Sequence, residues 1–213
     1  MTQETPVRRK TRRRTLQGRQ TREAILDGAV EVLATLGLAH FSIPQVAAAV
    51  GIAPGNLTYY FPTREDLIRA MTDRLLAQRA ARFEDACARL AVHGDSGLEA
   101  LVDTLIDDAV APATVHAFPE LWSLANQHDF VADSLERFHE AAVRAVLAAL
   151  GANPDGVEAA PARACVRLLG CVAAGCTALY GRRARDRRLA AVRAQARMLL
   201  PAALRQALHA GRK

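Results

Sequence analysis

The 213-residue chain predicts an all-α fold, and three observations lead there. Hydrophobic residues make up 51% but aromatics only 5%, an alanine-weighted balance that suits helices packed on helices. Apolar side chains return at i, i+3, i+4 and i+7, as in Leu98, Leu101, Val102, Leu105, Ile106, Ala109 and Val110. The alternation of strand and helix patterns that marks a parallel sheet is absent. This length accommodates one large or two modest domains.

The excess charge sits at one end. Residues 1–22 hold eight basic side chains and one acid, whereas the other 191 hold 20 basic and 21 acidic ones. Residues 1–17 therefore read as a flexible basic arm with almost nothing apolar to bury, disordered until it meets a polyanion. A first helix over 18–36 carries the stripe Ile25, Leu26, Ala29, Val32, Leu33 and Leu36, and Gly37 ends it.

Residues 42–67, SIPQVAAAVGIAPGNLTYYFPTREDL, carry the most information. Ser42 suits an N-cap, and Gly51 suits the left-handed stop of the helix that follows. Pro54 suits the first turn of a short helix that runs to Tyr60. That helix anchors inward through Leu57 and turns Gly55, Asn56, Thr58 and Tyr59 outward. Small and amide side chains on an exposed helix suit base edges, and a tyrosine hydroxyl suits phosphate. A helix-turn-helix follows, with Ser42, Pro54, Gly55, Asn56, Thr58, Tyr59, Tyr60 and Arg64 as its DNA-contact set. Within that set Asn56 and Thr58 face bases, while Ser42, Tyr59, Tyr60 and Arg64 face phosphates. Thr63 and Asp66 form a capping box for a fourth helix to about Leu90, long enough to pass into a second domain.

The second domain, 68–213, stays helical past Gly94, with Asp103 and Asp107 on a solvated face. Residues 111–126 contain Pro112, Pro119, His116, Phe118 and Trp122, a pattern of broken helices where a bundle can leave a cavity. Phe118, Trp122, Phe138 and His116 are the candidate ligand-binding residues, weighed against aromatics that simply fill an alanine-rich core. Residues 151–156 form a loop. A helix over 161–180 presents Gly170, Ala174 and Ala178 as a small-residue face, and five arginines (Arg182, Arg183, Arg185, Arg187, Arg188) follow it. Pro201 should kink or interrupt the last helical region, 189–208.

Thr21 to Leu26, then Ala47, Val50-Gly51-Ile52 and the run from Gly55 to Leu67 resemble the DNA-binding domain of the tetracycline-repressor (TetR/AcrR) family of bacterial regulators. Thr58, where an aromatic is usual, and Ala53, where a serine cap is frequent, depart from the pattern. The resemblance implies an N-terminal three-helix DNA-binding domain at 18–67 and a C-terminal helical bundle for ligand binding and dimerisation. It implies a homodimeric repressor, released from a palindromic operator on double-stranded DNA by a small-molecule effector. The alternative is a DNA-binding protein controlled by a protein partner or by no ligand.

No nucleophile elbow, HExxH, P-loop or dinucleotide glycine motif points to an enzyme. Four cysteines without a CxxC pair or nearby histidines give no metal site, and no cofactor is expected. Cys165 and Cys176, eleven residues apart, are a redox pair by spacing and inert buried thiols by their apolar neighbours. The longest apolar run, 168–180, is too short to span a bilayer, and a cytoplasmic location is expected.

Overall fold

The computed structural model describes residues 6–181 and 186–210, with side chains described from residue 16 onward except at residue 95. Eight α-helices follow in order: α1 (Pro6–Leu36), α2 (Ile43–Val50), α3 (Pro54–Tyr60), α4 (Arg64–Ala109), α5 (Pro112–Ala125), α6 (Asp129–Ala149), α7 (Ala160–Tyr180) and α8 (Arg187–Ala210). Single 3-10 turns stand at Leu38–His40 and Val157–Ala159, and no strand occurs among the described residues. The chain divides into two compact units, Met1–Leu75 and Leu76–Lys213.

In the first unit, Ile25, Leu26, Ala29, Val32 and Leu33 of α1 are buried with Val46, Ala47, Leu57, Phe61, Leu67, Ile68 and Met71. The apolar stripe thus reaches its core. The helix itself begins at Pro6 instead of at residue 18, so the arm is helical in its backbone from there. Arginine, lysine, glutamine and leucine are good helix formers, and no glycine interrupts them before Gly18. The arm's basic side chains up to Arg14 lie outside the described residues.

In the second unit, α4 is two helices joined at Gly94, whose φ of 54° and ψ of −122° break the helical run. A straight helix would hold Arg79 and Asp108 about 43 Å apart at 1.5 Å per residue, yet they form an ion pair at 3.1 Å. The chain therefore doubles back at Gly94. The core is built from residues 86–109 of α4 with Val143, Val146 and Leu147 of α6 and the inner faces of α7 and α8. Asp103 and Asp107 do not merely face solvent. Arg193 of α8 pairs with both, and Arg197 pairs with Asp103 and Glu99.

Two proline expectations are corrected. Residues 112–125 form one continuous helix through Pro119, and α8 runs through Pro201. Val157–Tyr180 is long and apolar enough to cross a membrane by length and composition, a third of it buried in the structure. It nevertheless carries Arg163 and Arg167 and packs against α6 and α8, as a core helix of a bundle does. Among the five arginines after α7, Arg182, Arg183 and Arg185 lie outside the described residues, while Arg187 and Arg188 are exposed at the start of α8.

Candidate nucleic-acid interface and ligand cavity

The geometry of the head is set by local chemistry. The Gln45 N–H donates to the Ser42 hydroxyl at 3.4 Å, which caps α2. At the other end Gly51 takes φ 71°, ψ 32°, with Gly51 N–H on the Ala48 carbonyl and Ile52 N–H on the Ala47 carbonyl. That Schellman closure turns the chain sharply into α3. Ala53 offers no side-chain cap, and Pro54 occupies the first turn. Thr63 and Asp66 cap α4 reciprocally, with N–H to side-chain distances of 3.1 and 3.0 Å.

Leu57 is fully buried, and Pro54, Gly55, Asn56, Thr58 and Tyr59 are exposed around it, Tyr59 at 80%. Five members of the predicted contact set are therefore exposed on α3. Three members are partly committed within the fold. The Ser42 hydroxyl serves the cap, and the Thr58 hydroxyl donates to the Gly55 carbonyl at 3.0 Å. Arg64 donates from Nε to the Phe41 carbonyl at 3.3 Å and lies 5.8 Å from the Phe41 ring centre. Tyr60 is half-buried and meets Tyr59 edge-on, ring centres 5.2 Å apart. Arg74 of α4 ties back to Glu23 and Asp27 of α1, and Arg22 lies over the Phe61 ring. These contacts hold the three helices in register.

The second unit contains a cavity of about 330 Å³ between the two halves of α4 and helices α5, α6 and α7. Phe118, Trp122 and Phe138 line it, as the aromatic pattern predicts. His116 does not. It is exposed on α5, and His139 of α6 lines the cavity in its place. Phe118 is buried at 6% exposure and also meets Trp122 edge-on at 6.4 Å, so it serves core and cavity at once.

The polar groups of the cavity come from positions that sequence reading missed. Arg79 lies with its guanidinium 4.3 Å from the Phe118 ring centre and pairs with Asp108 at 3.1 Å. Arg82 takes the other Asp108 oxygen at 3.0 Å. Burial pulls the Arg79 pKa down, partly opposed by Asp108. His139 is exposed as a residue, but desolvation of its ring, followed by the Arg79 charge, holds its pKa below the usual 6.5. The buried Thr177 hydroxyl donates to the Ala109 carbonyl at 2.8 Å, closing the end of α4. Among the described residues no cluster of metal-ligating side chains occurs. Burial raises the pKa of the Cys176 thiol and pushes that of Cys87 up to about 11, which leaves both unreactive.

Residues 25–71 match the family model for bacterial regulatory proteins of the tetR family. The head is thus similar to the DNA-binding region of tetR-family regulators. Curated proteins resemble part of the chain. An uncharacterised helix-turn-helix-type transcriptional regulator of Bacillus subtilis, YvdT, is 31% identical over 86 residues, 40% of this chain and 42% of that protein. A helix-turn-helix-type transcriptional repressor of Mycobacterium tuberculosis is 33% identical over 76 residues, 36% of this chain and 28% of that protein. The chain thus spans less than half the length of the curated relatives it matches. Solved structures extend the likeness in fold. The multidrug binding protein EbrR, complexed with imidazole, is 25% identical with a TM-score of 0.66, over 85% of this chain and 93% of that one. A TetR-family regulator from Mesorhizobium loti reaches a TM-score of 0.71 at 14% identity, over 87% and 95%. Such relatives are regulators and not enzymes.

Proposed function

We propose that this chain is a cytoplasmic transcriptional repressor that binds a palindromic operator as a homodimer and leaves it when a small molecule enters the second-unit cavity. The observation that carries the reading is the outward face of α3. Asn56, Thr58 and Tyr59 are exposed on a helix whose only buried residue is Leu57, directly after the turn at Gly51. An exposed amide can bond an adenine edge in both directions. Because the Thr58 hydroxyl commits its proton to the Gly55 carbonyl, it can offer a base only an acceptor, beside a methyl group suited to a thymine methyl. EbrR, solved with imidazole bound, supports the small-molecule half of the reading.

The test starts from an operator selected out of random duplexes with the intact protein. Asn56→Ala should weaken that operator by about 1–3 kcal/mol and relax choice at one base step. Deleting residues 1–14 removes Arg8, Arg9, Lys10, Arg12, Arg13 and Arg14, and should flatten the salt dependence by a slope of about 5 if all six meet phosphate. Asn56→Ala binding with unchanged affinity and specificity would remove α3 as the reading helix.

A further inference from the structure

We propose that the cavity of the second unit selects an apolar carboxylate: a molecule with a hydrocarbon body and one anionic head delivered to Arg79. This deepens the effector reading above and rests on it.

Four observations converge on the head group. First, charge balance at the α4 wall is incomplete, because Arg79 and Arg82 share the single carboxylate of Asp108. Arg167, the third arginine of the lining, is already paired with Glu140. One positive charge is left over beside the cavity. Second, Arg79 Nη1 is buried and has no hydrogen-bond partner. A buried donor left unmade is costly, and a charged one more so, which makes it the place where an incoming acceptor gains most. Third, the guanidinium cannot swing away freely, since it is held between Asp108 and the face of Phe118 with 13% of its side chain exposed. It is a donor fixed in place before the ligand arrives. Fourth, both Asp108 oxygens are engaged by arginines. A cationic ligand would find no free carboxylate among the lining residues and would meet the surplus positive charge.

The remaining lining sets the body. Phe83, Leu105, Phe118, Trp122, Val143 and Val166 present hydrocarbon, which offers a polar ligand nothing but desolvation. An apolar body with a single anionic end satisfies both parts of the cavity.

The only tryptophan of the chain, Trp122, lines this cavity and reports directly on occupancy. The experiment titrates the full-length protein with decanoate, decanol and decylammonium, following Trp122 emission and checking stoichiometry by calorimetry. Decanoate should bind about tenfold or more tightly than decanol, and decylammonium most weakly. Arg79→Gln should remove the advantage of decanoate while leaving decanol unchanged, and Arg79→Lys should restore part of it. Asp108→Asn, which frees positive charge, should move decanoate affinity the opposite way and strengthen it.

Equal binding of the acid and the alcohol, insensitive to Arg79→Gln, would overturn the carboxylate and leave the cavity as an effector site. Preference for the ammonium would do the same. If none of the three probes moved Trp122 emission or gave heat, the effector site itself would fall with it. Should Arg79→Gln fail to fold, the opposite shifts expected from Arg79→Lys and Asp108→Asn still decide the matter.

Discussion

Single side chains in this protein are often used twice, and that decides what their removal measures. Arg64 is a phosphate candidate, yet it also binds the Phe41 carbonyl and covers the Phe41 ring, so losing it disturbs the head as well as the DNA contact. Asn56 carries no such second role among its described contacts and is the cleaner probe. His139 shows how the cavity imprints on titration. Desolvation and the neighbouring Arg79 charge lower its pKa, with Arg82, Asp108, Glu140 and Arg167 as the other charged groups nearby. The folded protein therefore binds fewer protons at this site than the unfolded chain, and stability must rise with pH there. The contribution is complete above the ordinary value of 6.5 and is lost as pH falls below it. Urea midpoints of wild type and His139→Gln should accordingly diverge on acidification, the wild type losing more. Parallel profiles would show that the ring is freely solvated.

Helices that are specified by neighbours in sequence were legible in it, and those specified by distant contacts were not. The Ser42 cap, the Gly51 turn and the Thr63–Asp66 box each depend on residues at most five apart, and all three stand where the residue types place them. Pro119 and Pro201 misled because a local rule was outweighed. An internal proline costs about 3 kcal/mol, while each large apolar side chain buried gives back about 1.5–3 kcal/mol. Phe118, Leu121 and Leu124 are all buried around Pro119, and Leu200 and Leu204 beside Pro201. Arg79 was invisible as a cavity residue because its partner Asp108 lies 29 positions away and meets it only after the chain reverses at Gly94. That reversal is tight. A Cβ added at Gly97 would stand 2.8 Å from the Leu90 Cα, which is backbone and cannot rotate aside. Gly97→Ala should therefore cost about 1–3 kcal/mol by forcing the two halves of α4 apart. It should also weaken whatever binds the cavity between them. An unchanged urea midpoint would mean that the hairpin opens without strain.

At the scale of the whole molecule, the proposed function requires two heads, since one α3 covers only a short half-site. The second unit offers a surface for a second copy of the chain. Leu168 and Leu179 are 52% and 73% exposed and lie three turns apart on α7, with Gly175 between them. A Cβ on Gly175 would meet nothing within 4 Å. On α8, which packs against α7, Met198 and Leu199 are 60% and 56% exposed. Among the described residues no element covers these four large apolar side chains on two packed helices, and a two-fold mate packed there would bury them. The Gly170, Ala174 and Ala178 face is a poorer probe of this contact, because Gly170 and Ala174 line the cavity, and a bulky residue there would fill it. Leu179→Glu combined with Met198→Glu changes only exposed positions and so spares the fold of the single chain. Light scattering should then report a monomer. Operator affinity should drop by two to four decades, the advantage that a tethered second head provides. Trp122 should still answer to a cavity ligand, which separates loss of pairing from loss of folding. A double variant that remained dimeric on its operator would place the two-fold axis on another face of the unit, and the α7 and α8 leucines would then be ordinary exposed side chains.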